Sequence, residues 1–547
     1  MGPVDWLFSG GSIFTATGDT AEVVAVRAGE IAYVGPLAGV AALLGSNTRR
    51  VDIGDGMLAP GFIDSHAHPV GVGLGLTVHC DVSGISERSR ILEKISSCAS
   101  QRQGEAWLVG RGWALGAFER SMPSAAELDG VLPPGMGGYL TAEDGHNAWA
   151  SSEAFRRAGV DANTPDPAGG TIERLPDGAP QGTLRERAMS SVSSYLPAVS
   201  EAQQEVALTA ALARFNSYGV TTVVAAGIDA SRVGQYQRLR DANTLTTRSV
   251  LAMWVGSDWE EDFALLEALL EREDTMLRVS QIKLMLDGVL ENQTAHISFD
   301  YPGLGHRGSR FFETEETLVK WAIAFEALGY QLHFHTVGDA AISQGLRVLE
   351  ASRDARGAGN IRPIFAHDYL VKPTDYTALR DSGAYMQLTM LWDQQNDSMV
   401  SLNKPSLSEK QYAELMPAES LIAAGIPVIG GSDAPVGQSN PLSSIQVAVT
   451  GQGVPYFDGG DMSPQTLMPG GRVSLVDMLR AYTIEAARAI GMDELVGSIE
   501  VGKRADLVLL DRDLLTIPAT EIYGTAARLT LLNGDVVYER STPGSKN

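Results

Sequence analysis

An apolar run at 61–64 leads directly into Ser65-His66-Ala67-His68. Residues at i and i+2 of a strand face the same way, so both imidazoles can converge on one ion. The chain has 9 histidines, and others also stand at the ends of apolar runs. His333 and His335 close YQLHFH, His367 closes PIFAH, and Asp433 follows PVIGGS. Lys283 lies inside QIKLML. Any one of these has an ordinary structural explanation: a hydrogen-bonded core histidine, or an aspartate in a glycine turn. Together they put metal-binding and proton-carrying groups at one structural level. Lys283 is costly to bury charged. It can stay neutral, pair with Asp287, snorkel outward, or react with CO₂ to become an anionic oxygen ligand between two ions.

Imidazole and carboxylate donors suit zinc, with Mn, Fe or Co as substitutes. One or two ions are compatible with the set. Such a centre lowers the pKa of water from 15.7 toward ~7 and can polarise a carbonyl.

Eight apolar runs carry or precede these residues: 61–64, 220–226, 249–255, 281–286, 330–334, 363–366, 384–388 and 426–429. Helical patterns fall between them at 203–218, 262–271, 315–328, 340–353, 373–381 and 414–424. Alternating strands and helices imply a parallel sheet, and eight strands fit a (β/α)₈ TIM barrel with its chemistry at the strand C-termini. The count works only if about 70–200 is an inserted subdomain after strand 1, with strand-like runs of its own at 106–109 and 138–141. Both ends of the chain are β-rich, at 4–13 and 21–34 and again at 505–510 and 529–538, where Asn533-Gly534 marks a hairpin. The expected α/β organisation is a small β-sandwich domain from 1–60 plus 480–547 and a barrel over 61–479. Long polar segments at 392–408 and 451–472 follow strands 7 and 8 and are lid or connection segments.

These motifs resemble the amidohydrolase superfamily and, within it, the YtcJ-like, amidohydrolase-3 branch. GFIDSHAHP resembles its first-strand motif; GRGW (110–113), EDGHNAWASSEAF (143–155) and GGTIERLPDGAPQGTLRERA (169–188) resemble its insertion. KLMLDG, HTVGDAA, FAHD, GGSDAPV and GSIEVGKRADLVLLDRD (497–513) follow in the family's order. The resemblance implies that His66 and His68 bind one metal, that His335 and His367 face a second, and that carboxylated Lys283 bridges a binuclear centre. Asp433 would hold the hydrolytic water and shuttle its proton, with His367 assisting catalysis. His333, on the same strand face as His335 but deeper, reads as structural. Val289-Leu290 stand where the branch has Gly-Ser, which alters the pocket floor. The activity implied is attack of metal-activated hydroxide on a carbonyl C–N bond, first of all deformylation of N-substituted formamides. Alternatives on the same scaffold are hydrolysis of N-acyl amino acids, cyclic amides or esters, and deamination. A barrel kept only as an assembly protein would have lost its ligand set.

Other residues stay open. His146 either reaches a substrate from the insertion or fixes a loop; Trp113 either walls the pocket or fills the insertion core. Glu186 reads as structural, and His296 and His306 as surface residues. Trp392, Tyr456, Phe457, Leu467 and Met468 either contact an apolar substituent or pack a lid. No Gly-x-Ser-x-Gly nucleophile elbow accompanies a matching His/Asp order.

At ~150 residues per domain, 547 residues suggest three to four domains. With 42 basic and 66 acidic residues the net charge is −24. That charge repels phosphate backbones and anionic lipid, so the expected partner is a small-molecule substrate, not nucleic acid or membrane. A homodimer is a common outcome for the scaffold. No run approaches ~18 apolar residues and no signal peptide is visible. Cys80 and Cys98 read as small apolar fillers suited to a reducing, cytoplasmic setting.

Overall fold

The computed structural model describes residues 2–255, 259–311, 314–357, 359, 361–395, 399–457, 459–463, 467 and 471–541. Its central sheet has eight parallel strands: Phe62–Ala67, Val220–Ile228, Arg248–Trp254, Leu277–Met285, Gln331–Thr336, Ile364–His367, Tyr385–Leu388 and Val428–Gly430. They neighbour one another in chain order. Ser65 Oγ donates to the Gly430 carbonyl at 2.7 Å, and the Asp433 amide donates to the His66 carbonyl at 2.8 Å. These bonds draw the first and last strands together into a (β/α)₈ barrel. Each of the eight apolar runs is a barrel strand. They are legible because parallel strands are buried on both faces and read as near-continuous apolar runs.

Among the helices that escape the sequence reading, two do so for opposite reasons. Ala230–Asp241 buries only Val233, Gln235, Tyr236 and Leu239, too narrow a stripe among its arginines and glutamines to stand out. Pro441–Thr450, after the last strand, buries eight residues in succession, so it shows no amphipathic period. The short helix Ile484–Ala489 lies under the barrel, where Ala486, Ala487 and Ala489 pack on Ile63, Val224, Val250, Ile364 and Ile429.

The insertion carries a six-stranded sheet, running in order from Gly170–Arg174 through Pro180–Glu186, Asn147–Ala150, Gly137–Ala142 and Trp107–Trp113 to Cys80–Asp81. Trp113, Phe118 and Trp149 meet edge to face in its core. Cys80 and Cys98 are buried in the same core but are not free fillers: they form a disulfide with Cα atoms 5.9 Å apart. Cysteines paired in this way give no reason to expect a reducing compartment. Among the described residues no helix is long and apolar enough to cross a membrane.

Two further sheets use both ends of the chain. One is four-stranded and built from residues 6–52; the other pairs Ser12–Ile13 and Met57–Pro60 with Leu507–Leu510, Ala527–Leu532 and Asp535–Glu539. Trp6, Phe8, Val24, Val26 and Ile31 from the first share a core with Leu58, Leu507, Leu509, Leu529 and Leu531 from the second. Asn533 and Gly534 both take positive φ (51° and 77°), as a type I′ hairpin turn requires.

Candidate active site

The ends of barrel strands 1 and 8 meet first. Asp64 accepts hydrogen bonds from the Ser432 amide (3.0 Å), the Ser432 hydroxyl (2.6 Å) and the His66 amide (3.2 Å). Burial pushes the Asp64 carboxyl up to about 6, against these donors. Gly431 is obligatory beside it, because a Cβ there would lie 2.9 Å from the His66 nitrogen and 2.6 Å from Gln387 Nε2. The close approach brings Asp433 Oδ1 to 3.0 Å from His68 Nε2 and 3.4 Å from His66 Nε2. Asp433 sits at φ 52°, a strained backbone for a residue with a side chain.

Those three ligand atoms lie within 4.8 Å of one another. Asp433 Oδ1 is buried and, despite its nearness to both imidazoles, lacks hydrogen-bond geometry to any partner. Nitrogen and oxygen lone pairs that converge without sharing a proton fit a divalent cation. Lys283 Nζ stands 3.0 Å from His66 Nε2 on the other side. Burial lowers the Lys283 pKa to about 7, against the pull of the Asp433 and Asp368 carboxylates. Asp287 does not pair with it. Instead Asp287 accepts from the amides of Val337, Gly338 and His296 and lies 3.2 Å from His335 Nδ1.

His335 and His367 lie beside this cluster with their rings tilted by 60° and centroids 4.7 Å apart, and His367 is also 4.7 Å from His66. His367 lies flat against Trp392 at 5.2 Å and takes φ 82°. Burial, and then neighbouring positive charge, hold His66, His333 and His335 well below the usual imidazole value; for His367 burial is followed by His335 and Lys283. All are therefore neutral donors of lone pairs at neutral pH.

Above them opens a cavity lined by Leu115, Val289, Tyr369, Trp392, Val436 and Tyr456, with His335 and Asp433 at its base. Val289, the departure from the branch pattern, is part of this wall. The insertion contributes Glu143, Asp144 and His146. His146 Nδ1 lies 2.9 Å from Glu186 Oε2, and Glu186 Oε1 accepts from Thr294 Oγ1 at 2.9 Å and Asn292 Nδ2 at 3.2 Å. Burial alone would depress His146; Glu186, Asp144 and Glu291 outweigh it and raise its pKa to about 9. Glu186 itself, against its burial, is held below the usual carboxylate value by His146. The pair is thus an ion pair on the cavity wall.

Of the residues singled out in the sequence, His66, His68, Lys283, His335, His367 and Asp433 converge, and His146 overlooks them. Trp113 does not reach the cavity. Its indole is fully buried and donates to the Leu140 carbonyl at 3.0 Å, so the apolar ring fills the insertion core. His296 is buried rather than a surface residue; its amide holds Asp287 and its Nε2 faces Arg310 Nε at 3.1 Å. Trp392 and Tyr456 line the cavity, Phe457 packs edge to face on Tyr456, Leu467 is exposed, and Met468 lies outside the described residues. Sequence reasoning missed Asp64 and underrated Asp287 and Glu186. Asp64 stands inside the first barrel strand and Asp287 just past the end of the fourth, each in an otherwise apolar stretch, which was their signal.

The Amidohydrolase family model matches residues 49–538. The chain is 29% identical over 524 residues to Protein LONG AFTER FAR-RED 3 of Arabidopsis thaliana, covering 92% of this chain and 87% of that one. It is 28% identical over 543 residues to N-substituted formamide deformylase of Arthrobacter pascens, covering 96% of each. A metal-dependent hydrolase of Pyrococcus furiosus shares the fold with a TM-score of 0.71 at 19% identity, covering 93% of this chain and 100% of that one.

Proposed function

This chain belongs to the amidohydrolase family of metal-dependent enzymes acting on carbon–nitrogen bonds other than peptide bonds, and on that premise we propose that it hydrolyses N-substituted amides, formamides first. The observation that carries the reading is the convergence of His66, His68 and Asp433 beneath a cavity walled by apolar and aromatic groups. The formamide preference is supported by similarity to the Arthrobacter deformylase over nearly the whole chain.

In this reading His66, His68 and Asp433 would hold one ion, zinc by donor type. Lys283, as a carbamate, His335 and His367 would hold a second. The neutral amine attacks CO₂, a new N–C bond forms, and one proton leaves to water; low basicity in a buried site favours that amine. A bound divalent ion supplies Lewis acidity and an acidified water. Asp433, whose Oδ1 faces the cavity base without a hydrogen-bond partner, takes the proton of the attacking water and returns it to the leaving nitrogen. The His146 imidazolium donates to the carbonyl oxygen as negative charge grows there. Leu115, Val289, Val436 and Trp392 contact the nitrogen substituent and exclude water.

The test is to incubate the zinc-loaded protein with N-substituted formamides, N-acyl amino acids and cyclic amides and to measure amine and ammonia separately. Amine release, fastest from formamides, is the expected result. Ammonia without amine would replace the reading with a deaminase, and a preference for larger acyl groups would replace deformylation with a broader amidase activity.

A further inference from the structure

The interior of a (β/α)₈ barrel is ordinarily filled by branched aliphatic side chains. Here one column is polar. Gln281 and Lys283 alternate inward on the fourth barrel strand, and Gln331, His333 and His335 on the fifth. The two strands pair Gln281 with Gln331 and Lys283 with His333. Gln281, His333 and His66 are fully buried and Gln331 nearly so.

The hydrogen bonds along this column leave no freedom of direction. Carbonyl oxygens only accept, so the Gln331 atom facing the carbonyls of Arg362 (2.5 Å) and Ala489 (2.7 Å) is its Nε2. Gln331 Oε1 is then the acceptor for Gln281 Nε2 at 2.7 Å. That turns Gln281 Oε1 toward His333 Nδ1 at 2.9 Å, which must carry the proton. Lys283 Nζ, whose hydrogens donate, stands 3.0 Å from His66 Nε2, which therefore presents a lone pair and leaves His333 Nε2 to accept on the other side of the ring. His66 Nδ1, 2.9 Å away, must therefore be the N–H. The lone pair of His66 is left on Nε2, the atom that faces Asp433 and Lys283.

We infer that Gln331, Gln281 and His333 are positioning residues that set the tautomer of His66, locking its Nε2 as a metal ligand from two fixed backbone carbonyls at the opposite end of the barrel. The metal-ligand part rests on the metal-centre reading above; the tautomer part does not. His333 is thus more than a core residue. Outer partners of this kind orient a ligating imidazole and raise its basicity, and their loss lowers metal affinity by roughly 10–100-fold.

The test uses the full-length protein labelled with ¹⁵N-histidine, with His66 assigned by loss of its signal in His66→Gln. In metal-free wild type, His66 is expected as the Nδ1–H tautomer. Gln281→Leu removes the acceptor for His333 Nδ1; it should give a mixed or Nε2–H His66 and weaken zinc binding 10–100-fold in a chelator competition. Gln281→Glu should restore both, because a buried neutral carboxyl keeps one acceptor for His333 and one O–H donor for Gln331. An Nε2–H tautomer in the wild type overturns the inference without needing any variant to fold. So does a Gln281→Leu protein with unchanged tautomer and affinity, or a Gln281→Glu protein as impaired as Gln281→Leu. Failure of wild type to bind zinc while His66 is Nδ1–H would instead refute the metal-centre reading and leave the relay standing.

Discussion

His146 is protonated against its own burial, because three carboxylates surround it, Glu186 in direct contact. Its pKa rises from 6.5 to about 9. A raised pKa stabilises the folded state fully below pH 6.5; the benefit fades between 6.5 and about 9 and is gone above that. Glu186→Gln should therefore cost about 2 kcal/mol of stability at pH 6, and little at pH 9.5, as read by thermal melts at the two values. If His146 polarises the substrate carbonyl, the alkaline limb of kcat/KM near pH 9 moves to lower pH in the same variant. Asp433→Asn keeps a coordinating oxygen and loses the proton acceptor. Its zinc content, measured by metal analysis, should stay near wild type while kcat falls by ~10²–10⁴-fold; equal turnover would remove Asp433 from proton transfer. At this scale the sequence exposed what strand ends expose: His66, His68, His335, His367 and Asp433 each terminate an apolar run. The glutamines of the barrel column were illegible because an amide in a strand carries no chemical signal until its partners are known. Gln281 and Gln331 sit 50 residues apart in the chain and 2.7 Å apart in the barrel.

At the scale of elements, the insertion behaves as a separate structural problem from the barrel. Only two strands of its six-stranded sheet were visible, through 106–109 and 138–141, because the others carry few consecutive apolar residues and pair in mixed directions. The pairing of Cys80 with Cys98 was also hidden. Two cysteines separated by 18 residues imply nothing until the strand at Cys80–Asp81 and the helix Arg88–Gln101 bring their Cα atoms to 5.9 Å. A crosslink over a loop of this length is worth about 3 kcal/mol through the unfolded chain. Cys98→Ser should lower the insertion's melting midpoint accordingly, and a reducing agent should abolish the difference between variant and wild type. An equal midpoint under oxidising conditions would mean that the bond adds nothing to the insertion's own core. Since His146, the donor to the carbonyl oxygen in the proposed reaction, comes from this element, loosening it should lower kcat as well as kcat/KM.

Across the whole molecule, a buried ion pair ties the sheets built from the two ends of the chain to the barrel. Arg248, opening the third barrel strand, donates to Asp506 through Nε at 2.6 Å and Nη2 at 3.0 Å, and both are sealed from water. Asp506 also accepts from the Asn533 amide, and its carbonyl accepts from Gly61, which precedes the first barrel strand. Removing one partner of a buried pair leaves an uncompensated charge, so Asp506→Ala should destabilise the protein by ~3–5 kcal/mol in chemical denaturation. A loss below 1 kcal/mol would show that the Arg248 guanidinium is satisfied by its carbonyl neighbours alone. The β-rich texture of both termini foretold sheets shared between them, and the Ala505–Leu510 run foretold a strand. The arginine that clamps them was not foretold, because its partner lies 258 residues away.

The strand Met57–Pro60 takes its antiparallel partner from Leu507–Leu510, about 450 residues later in the chain. A ribosome adding 5–20 residues per second delivers that partner roughly 20–90 seconds afterwards. During this interval the nascent amino-terminal strands present an uncapped, apolar edge, while the barrel between them is already being made. The last thirty or so described residues therefore decide when the first sixty are finished. A premature stop anywhere before Leu507 would leave that edge open for pairing with another chain.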